Sequence, residues 1–372
     1  MQGHVVFQPA GITAPLSRAG SVQIEKGRIA EDNNCLVIPT DGHWTTKYNS
    51  LGKRRKFLCS RASASEINWW RSICGLSSRG KRQTTFKVGI LDTGFLQIDE
   101  AGPTHIDLNG SIVDHSEDHR KYHGYNIYHI LRSVGVFKES NIIFSDISSF
   151  FDKEKASLYK LVSSIFNMVD VFNVDFINIS YGTYFNDLDP DDVYDKNYLL
   201  SAIEYARSMG CIVFAAVGNY EGRSPACPAS SDDTIGVGAI GKSYLAPPDT
   251  LGVATENRSS LISDAHGSTS NGEKVFHDVT TCHGKGVDLV APGVSVFVQW
   301  SSQHTIELIG TSFACPIALG SIAAILARDV EFGTLALASR YQYVKERLPD
   351  WCQNLGLSRT RQGHGLAVFV EM

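Results

Sequence analysis

From Phe86 onward the sequence predicts an α/β fold: a three-layer, doubly wound, mostly parallel sheet with helices on both faces. Two observations predict it. Short continuous apolar runs alternate with helix-like stretches, as expected when crossover helices bury strands on both faces. In addition, Asp92, Ser180 and Asn219 each stand at the end of such a run, at the carboxyl ends where open α/β sheets carry their chemistry.

The elements follow in order. KVGIL (87–91) is a buried strand, followed by a loop and a helix at about 124–133. NIIFSDI (141–147) is the next strand, then a helix at about 154–172, the strand DFINIS (175–180) and a helix at about 196–209. CIVFAAVGN (211–219), DTIGVGAI (233–240) and GVDLVAPG (286–293) continue the sheet, and an apolar helix follows Ser312. Two stretches read as loops: the Asp-dense 185–197 and the polar, Gly/Ser-rich 264–285. Residues 1–83 mix short apolar stretches with Gly, Pro and Ser and show no period.

Composition narrows the function classes. The chain of 372 residues is 43% hydrophobic and 20% charged, ordinary values for a globular protein. A net charge of -5 gives no reason to expect nucleic acid or an anionic membrane as partner. The dense basic run Lys53–Lys56 reads as a solvated turn or a processing site. Ile309 to Ala327 approaches bilayer length, but Gly310, Ser312, Pro316 and Gly320 interrupt it, so a buried core helix is the expectation. The N-terminus lacks a basic stretch leading into an apolar run, so a secretory signal is not expected. On that basis the eight cysteines, none in a C-x-x-C pair, read as reduced thiols of a cytoplasmic protein.

Four residues carry the candidate chemistry. In GTSFACP (310–316), Ser312 opens an apolar helix, where the helix dipole favours developing negative charge; Pro316 is expected in its first turn. Asp92 ends a buried strand, where a carboxylate is costly unless something polar claims it. A histidine would do so, and His123 begins a helix-like segment downstream. Asn219 ends CIVFAAVG and has an amide able to donate to an oxyanion. Singly, each has a plainer reading: helix N-cap, turn cap, structural histidine, turn residue.

Together, in the order Asp, His, Asn, Ser, they resemble the subtilase (subtilisin-like) family of serine proteases, which shares the order Asp…His…Ser. ILDTG, HIDL (105–108), NISYG (178–182), AAVGN, PASSDDTIGVGA (228–239), GVDLVAPG, GTSFACP and GHGLAVF (363–369) all look like family segments, spanning about 86–370. The resemblance implies that Ser312 is the nucleophile, His123 its base, Asp92 the residue orienting His123, and Asn219 an oxyanion donor. It implies a polypeptide substrate paired as a strand beside Ser180, Tyr181 and Gly182, with Ala216, Val217 and Gly218 opposite. It also implies a cis Cys227–Pro228 bond, and a division into a peptidase domain at 84–372 and an extension or pro-segment at 1–83. No cofactor is implied, and a regulatory protein partner stays open.

Three departures matter. Where the family has H-G-T-x-x-A-G, this chain has His123-Gly124-Tyr125-Asn126-Ile127-Tyr128-His129, so large rings replace small residues. That leaves a disabled, peptide-binding relative as the alternative to a working endopeptidase. Tyr181 stands where an aliphatic residue is usual, and Cys315 near Ser312 reads as a small buried hydrophobe. His115, His119 and His123 share an i, i+4, i+8 spacing that would suit zinc on a helix, although a loop is the expectation there. Asp187, Asp189, Asp191, Asp192 and Asp195 follow the substrate segment closely. They suggest either a preference for Lys or Arg near the scissile bond or a calcium site, against the plainer reading of a solvated acidic loop.

Overall fold

A computed structural model of the chain describes residues 35–39, 47–48, 54–55, 68–76, 84–94, 104–106, 123–149, 156–245, 251–262, 264–299 and 304–370. Its first strands are β1 (Cys35–Pro39), β2 (Lys47–Tyr48), β3 (Arg54–Arg55), β4 (Val88–Asp92), β5 (Thr104–Ile106), β6 (Ile142–Asp146), β7 (Phe176–Ile179) and β8 (Ile212–Ala216). Then come β9 (Ile235–Lys242), β10 (His266–Ser268), β11 (Lys274–His277), β12 (Leu289–Pro292), β13 (Val294–Gln299), β14 (His304–Ile309), β15 (Cys352–Gln353) and β16 (Leu366–Ala367). The helices are α1 (Trp69–Ile73), α2 (His123–Val134), α3 (Leu158–Asp170), α4 (Pro190–Ser208), α5 (Leu251–Ser259), α6 (Thr311–Leu326), α7 (Val330–Thr334), α8 (Arg340–Trp351) and α9 (Arg359–Gln362).

The main sheet has the order β15-β16-β12-β9-β8-β7-β4-β6-β5, with β10 and β11 attached beside β9. Every pairing from β16 through β5 along that order is parallel. The chain passes from β4 to the edge strand β5, returns to β6 between them, then crosses β4 to β7 and continues through β8 to β9. The connecting helices form two separate pairs: α2 packs with α6, and α3 packs with α4. The predicted doubly wound α/β sheet is the one observed. Its topological switch lies between β4 and β7, whose carboxyl ends lead to Asp92 and Ser180.

Several local expectations change. The Asp-dense run is largely the start of a helix: Pro190 is the first residue of α4 and the Asp189 side chain caps it, accepting from the Asp191 N–H at 3.0 Å. Proline and acidic residues suit a helix N-terminus, which the composition alone disguised as loop. The polar stretch 264–285 holds the antiparallel pair β10–β11, whose Val275, Phe276 and His277 are buried despite the surrounding Gly and Ser. The apolar run at 309–327 is the end of β14 plus the buried α6, and no described helix is long and apolar enough to cross a membrane. The Cys227–Pro228 bond is cis.

Two described elements before residue 84, β1 and α1, pack against the rest of the fold. β1 is the third strand of a small sheet, β1-β14-β13. On the other edge, the α1 indoles donate to β13 carbonyls, Trp69 Nε1 to Ser295 O at 2.8 Å and Trp70 Nε1 to Phe297 O at 3.2 Å. Both rings are 1% exposed and belong to the main hydrophobic cluster. Ser295 is the extra residue of a bulge, with φ of 55°, and its hydroxyl donates to the buried Glu307 at 2.5 Å.

Candidate active site

Asp92 is the last residue of β4 and is 3% exposed. Its Oδ1 accepts from the Thr93 N–H at 2.7 Å and lies 2.7 Å from His123 Nδ1. The loop after Asp92 also starts the histidine's helix: Gly124 N–H donates to Thr93 O at 2.8 Å, and Tyr125 N–H to Gly94 O at 3.2 Å. Two first-turn donors that a helix leaves unpaired are thus met by the strand-end loop, which ties His123 to Asp92. Only glycine fits at 124, because a Cβ there would lie 2.4 Å from the Phe144 ring. A carboxylate on Nδ1 selects the tautomer with Nδ1 protonated and leaves Nε2 as the basic nitrogen.

The rings that depart from the family pattern pack on one another. Tyr125 meets His129 edge-on with centroids 4.3 Å apart, and Tyr128 lies 5.5 Å from His129. All three are buried. Their bulk is absorbed inside the fold.

Ser312 is the second residue of α6, and the His123 ring lies 5.2 Å from that of the adjacent Phe313. Pro316 falls in the second turn of α6 and not, as expected, the first. Lacking an N–H, it cannot bond the carbonyl four residues earlier, that of Ser312. The Ser180 hydroxyl takes that place, donating to Ser312 O at 2.7 Å while accepting from Asn178 Nδ2 at 2.9 Å. In return the Ser312 hydroxyl donates to Ser180 O at 3.3 Å. This exchange joins the end of β7 to the start of α6. Cys315 is fully buried, and burial followed by the Asp92 charge pushes its thiol well above the usual range, so it is no second nucleophile.

Asn219 follows β8, and its carboxamide is held in one orientation. Oδ1 accepts from the Thr311 N–H at 2.8 Å and from the Thr311 hydroxyl at 2.9 Å, while that hydroxyl accepts from the Gly218 N–H at 3.2 Å. With the oxygen occupied, Nδ2 is the free-facing donor. It lies beside Gly310, where a Cβ would come within 3.1 Å of it and φ is 137°. Sequence reasoning missed Thr311, although it sits within GTSFACP, because its role appears only when β8 and α6 meet.

The predicted substrate segments, Ser180–Gly182 and Ala216–Gly218, continue the neighbouring strands β7 and β8. Both back onto Ala226: a Cβ at Gly182 would lie 2.9 Å from its methyl and one at Gly218 3.7 Å. The acidic run beyond Gly182 is engaged locally, with Asp187 on Lys196 at 2.7 Å and Asp192 accepting from the Asn186 N–H at 2.7 Å. His115, His119 and the second half of the HIDL segment lie outside the described residues; among the described residues no cluster of three metal-ligating side chains occurs.

Comparison with known proteins gives the family and the fold. The profile of the peptidase S8, or subtilase, family matches residues 83–342. Subtilisin DY of Bacillus licheniformis is 25% identical over 297 residues, covering 76% of this chain and 88% of that protein. Among solved structures, a lanthipeptide protease superposes with a TM-score of 0.59 at 16% identity, covering 82% of this chain and 93% of the other. A cold-adapted subtilisin-like serine proteinase gives 0.53 at 18% identity, with 80% and 98% covered. At such identities these structures speak for the fold.

Proposed function

This chain belongs to the subtilase family, and from that premise we propose that it is a serine endopeptidase that cleaves polypeptides through Asp92, His123, Ser312 and Asn219. The observation carrying the reading is the 2.7 Å contact between Asp92 Oδ1 and His123 Nδ1, at the same sheet edge as Asn219 and the start of α6. In the reaction, the Ser312 hydroxyl turns from the Ser180 carbonyl toward His123 Nε2. Its proton passes to that nitrogen as Oγ attacks the scissile carbonyl. Asp92 holds the ring and stabilises the imidazolium. The carbonyl electrons move to an oxyanion met by Asn219 Nδ2 and by the N–H of Ser312. The tetrahedral species then collapses to an acyl-enzyme as the imidazolium gives its proton to the leaving amine. Water repeats the sequence and releases the acyl group.

The peptide-binding alternative rested on the rings of α2, and their burial within the fold supports the catalytic reading instead. Reaction with a fluorophosphonate tests it. The wild type is expected to be labelled at Ser312 and to cleave peptides, while Ser312→Ala loses both and keeps its unfolding midpoint. Peptidase activity in a clean Ser312→Ala preparation would refute the assignment.

A further inference from the structure

The ends of the two substrate walls carry a feature the proposed chemistry does not use. Tyr184 lies two residues beyond Gly182, and Tyr220 directly follows Asn219. Their rings meet edge-on with centroids 5.6 Å apart. Over both sits the guanidinium of Arg223, its Cζ 5.1 Å from the Tyr184 centroid and 5.7 Å from that of Tyr220. The group is held: Arg223 N–H donates to Tyr220 O at 3.0 Å, its carbonyl accepts from the His283 N–H at 3.0 Å, and the Tyr184 hydroxyl donates to Ser224 O at 2.6 Å. Arg223 is exposed, and among the described residues no carboxylate pairs with it. Its neighbour Glu221 is engaged by Arg258 at 3.4 Å.

A cation stacked on two tyrosines is pre-organised yet keeps its hydrogen-bonding edge available. Ala226 lies against both Gly182 and Gly218, and Tyr184, Tyr220 and Arg223 stand just beyond these two wall residues in the chain. We propose that Arg223 selects polypeptides with an acidic side chain, Asp or Glu, on the residue whose carbonyl Ser312 attacks. A carboxylate offers the guanidinium two charge-assisted hydrogen bonds, whereas Lys or Arg at that position would be repelled. The selectivity is opposite in sign to the one the acidic run suggested, because Asp187, Asp189 and Asp192 are engaged within their own segment. The inference rests on the proposed endopeptidase function.

The test compares full-length wild type, Arg223→Gln and Arg223→Glu on a peptide series varied only at that residue: Glu, Gln, Asp, Asn, Lys and Arg. Fluorophosphonate labelling is measured in parallel. In the wild type, kcat/KM is expected to favour Glu over Gln, and Asp over Asn, by about 10- to 100-fold, shrinking as salt is raised. The ratio should fall toward one in Arg223→Gln and turn toward Lys and Arg in Arg223→Glu, a gain that misfolding cannot produce. A wild type preferring Lys or Arg, an acidic preference that survives both variants, or labelling without cleavage of any acidic peptide would each overturn the selectivity while leaving the nucleophile in place. Absence of both labelling and cleavage would overturn the endopeptidase reading, and this inference with it.

Discussion

Replacing Trp69 by alanine removes a ring that is 1% exposed and the N–H that meets Ser295 O at 2.8 Å. Truncating a buried tryptophan costs about 3–5 kcal/mol, a large share of the 5–15 kcal/mol that typically separates folded from unfolded domains. Trp69→Phe keeps most of the packing and leaves the Ser295 carbonyl unpaired, so about 1–2 kcal/mol is expected. Trp70→Ala belongs in the same class, but the two changes share one strand edge and will not simply add. The consequence should reach the active site, since β13 pairs with β14, and β14 runs into Gly310 and the start of α6. Urea unfolding and fluorophosphonate labelling of the same samples would measure both effects. Deleting residues 1–83 removes β1 as well as α1, and that chain is expected to lose its cooperative transition and its labelling. If residues 84–372 alone unfold at the wild-type midpoint and label at the wild-type rate, the view that this segment is built into the domain is wrong.

Two further perturbations probe the site and the core. Asn219→Ala should lower kcat by about 100- to 1,000-fold with little change in KM, a magnitude carried over from subtilisin rather than worked from these distances; an unchanged kcat would remove Asn219 from the oxyanion site. His277 is fully buried, and burial followed by the Arg361 charge pushes its pKa down to about 3. Below the ordinary histidine pKa of about 6.5 the unfolded chain takes up a proton that the folded chain refuses, so this residue makes stability fall as pH drops from there toward 3. The loss is about 1.4 kcal/mol per unit, or nearly 3 kcal/mol at pH 4.5. Urea midpoints of wild type and His277→Gln across pH 4.5–7 should therefore converge as pH falls, and parallel curves would contradict the assignment.

How much of this was legible beforehand depends on the range over which each feature is encoded. The sheet could be read from the sequence because a strand buried on both faces must be apolar throughout, and KVGIL, DFINI and CIVFAA satisfy that locally. Asp92, His123, Asn219 and Ser312 were legible for a related reason: each sits at a strand end or helix start whose neighbours mark the junction. The start of α4 was legible too, through Pro190 and Asp189, but its charge density drew the reading toward loop. Only the tertiary structure could decide the rest. Trp69 meets Ser295 across 226 residues of chain, and nothing near either residue encodes that meeting. Pro316 leaves the Ser312 carbonyl without a helical partner, but Ser180 reaches it only once α6 lies beside β7. Arg223 gains its place from Tyr184 on one wall and Tyr220 on the other, walls that parallel strand pairing brings together. Short-range patterns of polarity and turn chemistry determine which elements form. Which side chains share a site is decided by contacts between those elements, and such contacts have no local signature.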